Sequence, residues 1–260
     1  MKLEICSAVC GYKNKTVING ISFSISSSEI LCLLGPNGVG KTTLFKSILG
    51  FLKLQGGAIK ADGEDISSWS RKKYAQSIGY VPQSHTPPFP FSVFDVVVMG
   101  RTAHLGTFST PSKSDLNIAM DSLEALGITH LKDRIYTEIS GGERQLVLIS
   151  RALAQQPQIL IMDEPTSNLD FGNQMLVLSQ IKKLAAEKQI GVLMTTHFPD
   201  HAFLCSSRVA LLRSGGFEIG TPEAIVTEKN LQEIYGVNVR ITKTPNGSGG
   251  YVKSCVPIIS

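Results

Sequence analysis

The sequence of 260 residues is long enough for one large domain or two small ones, and 42% of its residues are hydrophobic and 18% charged. That balance is ordinary for a globular protein with a sizeable core. The formal net charge of +4 is mild and comes without a dense block of lysine and arginine, so the composition does not indicate a nucleic-acid partner.

The five cysteines show neither a CxxC motif nor the spacing of Cys/His metal ligands, so we expect reduced thiols in a cytosolic protein. Residues 1–15 lack the apolar stretch of a secretory leader, and no uninterrupted apolar run is long enough to span a bilayer. We therefore expect any role at a membrane to come through a partner.

The N-terminal segments predict antiparallel pairing. Residues 3–9 predict a first strand, and residues 11–15 predict a turn. Residues 17–25 alternate apolar and serine side chains, which is the period of a half-exposed antiparallel strand. Residues 57–60 and the turn Asp62-Gly63 predict a further strand of the same kind.

A glycine-rich loop at 35–43, with the sequence GPNGVGKTT, lies between a predicted buried strand at 30–34 and a predicted helix at 43–49. The glycines let backbone N–H groups turn inward at a helix N-terminus, which makes an anion site. Lys41 would reach the β- and γ-phosphates of a nucleotide, and the Thr42 hydroxyl would bind Mg²⁺. A glycine-rich turn that binds nothing is the alternative, and the strand–loop–helix context disfavours it. The predicted phosphate contacts are Gly35, Pro36, Asn37, Gly38, Val39, Gly40, Lys41, Thr42 and Thr43.

After a short predicted strand at 78–81, which leads to Gln83, the pattern changes. Residues 85–91 contain three prolines and two phenylalanines, so we expect no regular element there. This segment is either a loop packed on the body of the protein or a docking surface. Residues 113–126 then predict a helix that ends at a glycine. The apolar face of that helix comprises Leu116, Met120, Leu123 and Leu126.

Ser140 and Glu143 have the S-x-x-E spacing of a capping box, which predicts the start of a helix. That helix is apolar nearly all round over residues 146–153, so we expect it to be deeply buried.

The pair Asp163-Glu164 follows a predicted buried strand at 159–162, at the strand end where ligands collect in α/β sheets. Asp163 would hold Mg²⁺ through water, and Glu164 would act as a general base on the attacking water. A solvated acidic turn is the alternative, which the phosphate loop in the same chain disfavours.

Helices and strands alternate over the rest of the chain. The predicted elements are a helix at 174–188, a strand at 190–195 that leads to His197, a short helix from Pro199, strands at 209–212 and 217–219, and a helix capped at 221–223. The end of the chain, residues 244–260, is rich in glycine and serine, and we expect it to be loosely ordered.

Together these motifs resemble those of the ATP-binding subunits of ABC transporters, over essentially the full length of the chain. The loop at 35–43 resembles Walker A, and residues 159–164 resemble Walker B with the catalytic glutamate. Residues 139–143 resemble the LSGGE signature, with isoleucine in place of leucine.

Four further positions are similar to family motifs. Gln83 is similar to the Q-loop glutamine, residues 167–170 to the D-loop, and His197 to the switch histidine. Tyr12 stands where the family places an aromatic side chain that stacks on adenine. Gln83, Tyr12 and His197 are each weak alone, but the order and spacing of all the motifs together favour the family.

The resemblance implies an α/β fold: a P-loop NTPase core with a mainly parallel sheet, an antiparallel β subdomain and an α-helical signature subdomain. It implies an ATP-binding domain over residues 1–240, with the helical subdomain inserted at about 84–157, and a tail at 241–260. It also implies ATP as substrate and Mg²⁺ as cofactor. The implied catalytic residues are Glu164, His197 and Gln83. The implied metal ligands are Thr42, Gln83 and Asp163. Beyond the phosphate loop, the implied nucleotide contacts are Tyr12, Ser140, Gly141, Gly142 and Glu143.

The family's mechanism implies a twofold, head-to-tail dimer. The turn at 140–142 is a second helix N-terminus, and it would contact the γ-phosphate held by the other copy. Hydrolysis would then separate the halves. The implied partners are integral membrane permease subunits and, indirectly, a substrate-binding protein, with no nucleic acid. The implied location is the cytoplasmic face of the cell membrane, as a peripheral subunit.

Residues 96–104 and 235–239 resemble segments of importers for iron–siderophore complexes, haem and vitamin B12. A manganese or zinc importer subunit shares every nucleotide motif and stays open as an alternative. A soluble ABC-type ATPase of DNA repair or translation is disfavoured because no coiled-coil insertion or second nucleotide domain is present. A metabolic P-loop kinase is disfavoured by the signature at 140–143 and by His197.

The segment after Gln83 is the predicted docking site for the permease. Exposed aromatic side chains on a proline-fixed segment suit a groove for a partner's helix. We expect that helix to contact Phe89, Phe91, Arg101 and His104. The alternative is that the aromatic side chains fold inward as core.

Overall fold

The computed structural model describes residues 1–13, 15–83, 89–106, 108–246 and 249–258. The strands are β1 (Leu3–Tyr12), β2 (Lys15–Ile25), β3 (Ile30–Leu34), β4 (Gly56–Ala61), β5 (Glu64–Asp65), β6 (Ile78–Val81), β7 (Ile159–Met162), β8 (Gly191–Thr196), β9 (Arg208–Arg213), β10 (Gly216–Gly220), β11 (Val239–Pro245) and β12 (Tyr251–Pro257). The α-helices are α1 (Lys41–Ile48), α2 (Arg71–Ser77), α3 (Val93–Val98), α4 (Lys113–Ala125), α5 (Gly141–Ala154), α6 (Phe171–Glu187), α7 (Pro199–Cys205), α8 (Pro222–Ile225) and α9 (Glu228–Tyr235).

A six-stranded sheet with the order β10-β9-β3-β8-β7-β6 forms the centre of the molecule. The strands from β9 to β6 run parallel, and β10 pairs antiparallel at one edge. Because the carboxyl ends of parallel strands meet at one edge, the segments that follow β3, β7 and β8 lie together there. A second, antiparallel sheet has the order β2-β1-β4-β5. The predicted α/β class and its two kinds of sheet are confirmed.

The central sheet separates two hydrophobic cores. Side chains of a strand point alternately to its two faces, so Leu31 and Leu33 of β3 pack with α1 and the antiparallel sheet. Cys32 and Leu34 pack on the other face, against helices α3 to α7. The phosphate loop thus connects a fully buried strand to helix α1, whose apolar side chains pack in the core on one face of the sheet. All five cysteines are free thiols.

Helix α6 begins at Phe171, three residues before its predicted start. The Asp170 side chain caps it, accepting a hydrogen bond from the backbone N–H of Asn173 at 2.8 Å. An aspartate cap satisfies a backbone donor that no carbonyl of the helix reaches.

The prediction that Leu116 lies on the buried face of α4 was wrong, since this side chain is 38% exposed. Leu123 and Leu126 are buried as predicted, and Asp115 and Ala119 are buried in place of Leu116. The face is rotated because Asp115 is drawn inward by Arg101, whose Nε donates to Asp115 Oδ1 at 2.9 Å. Met120 packs partly against the core.

Arg101 is only 4% exposed, so the prediction that it meets a partner's helix was wrong. Its Nη1 donates to the carbonyl oxygen of Ala154, at the end of α5, at 2.6 Å. The His104 Nε2 lies 2.8 Å from the carbonyl oxygen of Gln155. Both side chains therefore hold the C-terminal end of α5.

The two phenylalanines predicted for docking differ in burial. Phe91 packs against the core, as the alternative prediction had it, and Phe89 is 63% exposed. Residues 84–88 of this segment, including His85, lie outside the described residues.

The C-terminal segment contains a regular hairpin, so the expectation of loose order was wrong. Strands β11 and β12 pair from Val239↔Pro257 to Pro245↔Tyr251. The Cys255 N–H donates to Asp200 Oδ1 of α7 at 2.6 Å, and Cys255 packs on the core. The β-branched residues of both strands and this tertiary contact outweigh the glycine and serine content of the turn. Positions 247, 248, 259 and 260 lie outside the described part.

Over the described ranges, no helix is both long enough and apolar enough to cross a bilayer.

Candidate active site

The glycine loop between β3 and α1 needs glycine at several positions. Gly38 and Gly40 have φ values of +80° and +115°, in the region that side chains disfavour. A Cβ at Gly35 would lie 2.5 Å from the carbonyl oxygen of Leu212. The loop can therefore curl closely around a ligand because these residues carry no side chain.

Lys41, the first residue of α1, is almost fully buried. Its Nζ donates to the carbonyl oxygens of Gly35 at 2.6 Å and Pro36 at 3.2 Å. Burial lowers the pKa of Lys41, and the charges of Glu164 and Asp163 oppose that shift. The ammonium group is thus placed at the mouth of the glycine loop, facing two carboxylates.

Asp163 follows β7, and its two oxygens have different neighbours. Oδ1 accepts a hydrogen bond from the Thr195 hydroxyl at 2.8 Å, and Oδ2 lies 3.4 Å from the Thr42 hydroxyl. Burial raises the pKa of Asp163, and the hydrogen bond from Thr195 lowers it. The Thr42 hydroxyl and the Asp163 carboxylate form an oxygen-rich pair, the donor set that Mg²⁺ prefers. The residues present therefore fit this cation.

Glu164 is the point where four elements converge. Its Oε2 accepts from Gln83 Nε2 at 3.2 Å and lies 3.3 Å from His197 Nδ1, without hydrogen-bond alignment. Its Oε1 lies 3.7 Å from Lys41 Nζ. The three sequence-predicted catalytic residues are therefore neighbours in space, although more than a hundred residues separate the first and last of them.

A cavity of about 320 Å³ opens between the glycine loop and the two carboxylates. The residues that line it are Asn37, Gly38, Gly40, Lys41, Thr42, Thr43, Gln83, Asp163 and Glu164. One side of the cavity carries the Lys41 ammonium group and the backbone N–H groups of the glycine loop, and the other side carries the carboxylates of Asp163 and Glu164. Such a cavity can hold a phosphate chain together with a divalent cation.

The signature turn does not line this cavity. Ser140 caps α5 with its hydroxyl accepting from the Glu143 N–H at 3.3 Å, and Glu143 accepts from the Ser140 N–H at 2.8 Å. The predicted capping box is thus present. A Cβ at Gly142 would lie 2.3 Å from Asn173 Oδ1, so the Asn173 side chain of α6 packs closely against this glycine. Ser140 and Gly141 face outward.

Tyr12 lies at the end of β1 with 46% of its surface exposed, and it does not line the same cavity as far as the described residues define it. Its ring is free to receive a flat ligand, which is what the sequence predicted for it. That role stays a prediction.

The family model for ABC transporters matches residues 18–167. The chain belongs to the ABC transporter family. Cassettes of this family hydrolyse ATP to drive transport, and this chain is an ATPase of that kind. The resemblance inferred from the motifs is confirmed.

Relatives of this ABC ATPase include proteins named for import. The molybdate import ATP-binding protein MolC of Haemophilus influenzae is 39% identical over 215 residues, which cover 83% of this chain and 80% of the relative. A protein of Helicobacter pylori named for iron chelatin transport is 38% identical over 238 residues, covering 90% and 93%. A solved structure described as a metal-chelate type ABC transporter superposes with a TM-score of 0.88 at 33% identity, covering 99% and 97%.

Sequence reasoning about this cassette missed Thr195. This residue lies in β8, two positions before His197, with no exposed surface. The available signal was a threonine near the end of an otherwise apolar, buried strand. A buried hydroxyl needs a hydrogen-bond partner, so this threonine indicated a polar contact inside the fold.

Proposed function

We propose that this chain is the ATP-hydrolysing subunit of an importer for a metal–chelate substrate. It would work as a peripheral subunit at the cytoplasmic face of the cell membrane, beside permease subunits. A substrate-binding protein would deliver the substrate to those permease subunits. The observation that carries the ATPase part is the convergence of Lys41, Gln83 and His197 on Glu164, each within 3.7 Å, beside the glycine loop.

Each side chain has a role that its position supports. Glu164 takes the proton of the attacking water as general base. Gln83 and His197 orient that carboxylate and the γ-phosphate, and Lys41 balances the charge of the phosphates. The N–H groups of the glycine loop bind the phosphate oxygens. Tyr12 stacks on the adenine.

Thr42 and Asp163 would hold Mg²⁺, together with the amide oxygen of Gln83. The cation would neutralise part of the charge on the phosphates. The support for this assignment is the oxygen-rich pairing of Thr42 with Asp163.

Two copies would assemble head to tail. Ser140 and Gly141 are exposed at a helix N-terminus and do not line the cavity of their own chain, so they are available to a phosphate held by another copy. Glu143 completes that turn through its hydrogen bond to Ser140. An arrangement in which each copy completes the other's site forms a closed twofold dimer.

The permease would dock at a groove of about 740 Å³ beside α2, which we call the α2 groove. Its lining residues are Leu49, Gly50, Phe51, Ile66, Ser67, Trp69, Arg71, Tyr74, Ala75, Ile78, Tyr80 and Gln155. Phe51 is 73% exposed at its rim. The groove adjoins the segment predicted from the sequence for docking, because the carbonyl oxygen of its lining residue Gln155 lies 2.8 Å from His104 Nε2. Arg101 and His104 would support this surface from beneath, and Phe89 stays a candidate contact.

The substrate proposal rests on residues 96–104 and on the relative named for iron chelatin and the metal-chelate type neighbour. An iron–siderophore, haem or cobalamin-type complex is the substrate class that we favour. Molybdate is a second candidate, because a relative named for its import is 39% identical.

Uptake by the chain and its permease in proteoliposomes tests the proposal. We expect ATP-dependent uptake of a radiolabelled metal chelate, which is a ferric siderophore, haem or cobalamin loaded on the binding protein, and little uptake of molybdate. Uptake of molybdate alone would favour the second candidate. Uptake of neither, with ATP still hydrolysed, would contradict the substrate class.

Single cysteines at positions 51 and 89 test the docking surface by crosslinking to the cytoplasmic loops of the permease. The five native cysteines are first replaced by serine or alanine. A crosslink from position 51 supports the α2 groove, and copurification without any crosslink from position 51 contradicts it.

A further inference from the structure

The Thr195 hydroxyl joins the two carboxylate residues of the site. It donates its hydrogen to Asp163 Oδ1 at 2.8 Å and accepts one from the backbone N–H of Glu164 at 2.8 Å. A hydroxyl has one hydrogen to donate and two lone pairs to accept with. Both bonds are therefore made at once by a single buried side chain.

Donation to Asp163 holds its carboxylate in one orientation. Because Oδ1 is bound by Thr195, Oδ2 is the oxygen that faces Thr42 on α1. Rotation of this carboxylate would break the bond to Thr195. The hydrogen bond also favours the charged form of a carboxylate whose pKa burial raises.

Acceptance from Glu164 fixes the turn that carries the general base. Glu164 has a φ of +47°, a conformation that is costly for a residue with a side chain. Its partly buried N–H would lack this partner without Thr195, and an unpaired N–H that water does not fully reach adds a further cost. Thr195 therefore helps to keep the Glu164 carboxylate among Lys41, Gln83 and His197.

We propose that Thr195 is a positioning residue, which sets the Asp163 carboxylate for Mg²⁺ and the Glu164 carboxylate for the attacking water through one hydroxyl on β8. This inference rests on the proposed Mg²⁺–ATP site. It adds a residue outside the motifs that identified the site, contributed by the strand between β3 and β7 in the sheet.

Thr195→Val tests the proposal, because valine keeps the shape and removes the hydroxyl. Thr195→Ser keeps the hydroxyl and should restore the behaviour of the parent. Thr196→Val is the matched control: Thr196 is buried on the same strand but points to the other face, where its hydroxyl lies 3.1 Å from His201 Nδ1. Both valine variants lose a buried hydroxyl, so both should lower the melting temperature.

The decisive measurement is the binding of a slowly hydrolysed fluorescent ATP analogue, with Mg²⁺ and with EDTA. In EDTA, we expect Thr195→Val to bind the analogue with the parent's affinity. The gain in affinity on adding Mg²⁺ should be roughly tenfold smaller than in the parent, which corresponds to the loss of one hydrogen bond to a charged group. The Mg²⁺ concentration for half-maximal ATPase should rise by a similar factor. Thr196→Val should keep the parent's Mg²⁺ dependence.

An unchanged Mg²⁺ effect in Thr195→Val, within twofold of the parent, would show that Thr195 is only structural. If the valine variant does not fold, Thr195→Cys is measured in the same way, since a thiol is a weak donor of similar shape. Lys41→Ala distinguishes a failure of the proposed Mg²⁺–ATP site from a failure of the inference about Thr195. If Lys41→Ala binds and hydrolyses ATP as the parent does, the proposed site itself fails. If Lys41→Ala is inactive while Thr195→Val keeps the parent's Mg²⁺ effect, this inference alone fails.

Discussion

The Nζ of Lys41 lies 3.7 Å from Oε1 of Glu164, with both side chains largely buried. Two opposite charges in a low-dielectric site stabilise each other, and a phosphate chain that enters the cavity would compete for the same ammonium group. The pair therefore links the binding of phosphates to the charge around the general base. Substitutions of Lys41 and of Glu164 separate these two functions.

Lys41→Ala should weaken ATP binding by roughly 10- to 100-fold and abolish measurable turnover. The phosphates lose a charged donor that water replaces poorly. Equilibrium binding of a fluorescent ATP analogue measures the first effect and phosphate release the second. Lys46→Ala, on the exposed side of the same helix, is the control and should bind as the parent does. Parental turnover in Lys41→Ala would contradict the phosphate site.

Glu164→Gln should lower turnover by roughly 10²- to 10⁴-fold while ATP still binds. Glutamine keeps the size and much of the hydrogen bonding of glutamate but cannot accept the proton of the water. With ATP, this variant should elute as a dimer in size exclusion chromatography. Normal hydrolysis by Glu164→Gln would place the general base elsewhere in the chain.

Ser140→Arg should block the ATP-dependent dimer, since a large side chain would stand where the other copy's γ-phosphate is expected. ATP binding to the variant's own glycine loop should persist, because the signature turn does not line that cavity. We would measure both in the Glu164→Gln background, by size exclusion and by titration. Loss of binding in the monomer would mean that the turn belongs to its own chain's site.

Arg101→Ala should destabilise the fold clearly more than the loss of a surface ion pair does, because it leaves the Asp115 carboxylate and the Ala154 carbonyl without their charged partner. Urea denaturation measures this free energy of unfolding. Arg240→Ala is the control: Arg240 pairs with Glu228 on the surface, so its loss should cost at most about 1 kcal/mol. Equal losses of unfolding free energy in the two variants would contradict the role of Arg101 in holding the C-terminal end of α5.

Stability should rise with pH between about 4 and 6.5, with His201 as a main contributor. Burial lowers the pKa of His201 to about 4, whereas the unfolded chain has the usual value near 6.5. Over that window the unfolded state binds the extra proton, so acid favours unfolding, and the contribution is complete above pH 6.5. Melting temperatures of His201→Gln should depend less on pH in this range. His130→Gln, which replaces an exposed histidine, should keep the parent's pH profile.

Local patterns in the sequence determined most of the elements near the site. The apolar run at 30–34 is a fully buried strand, and the S-x-x-E spacing at Ser140 and Glu143 is a capping box in the structure. The glycines at 38 and 40 are required by their backbone angles. These features depend on neighbours in sequence, so a single chain is enough to predict them.

Only the tertiary structure decided which side chains meet across elements. Arg101 looked like a surface residue, yet it is buried because Asp115 and the Ala154 carbonyl neutralise and bind its guanidinium group. The C-terminal hairpin is ordered because Asp200 and the core receive Cys255. The partner of the Thr195 hydroxyl is decided by the parallel register of β8 beside β7, which brings this hydroxyl to Asp163. Contacts between residues far apart in sequence leave no periodic pattern in the local sequence. Only the tertiary packing of the elements therefore determines these partners.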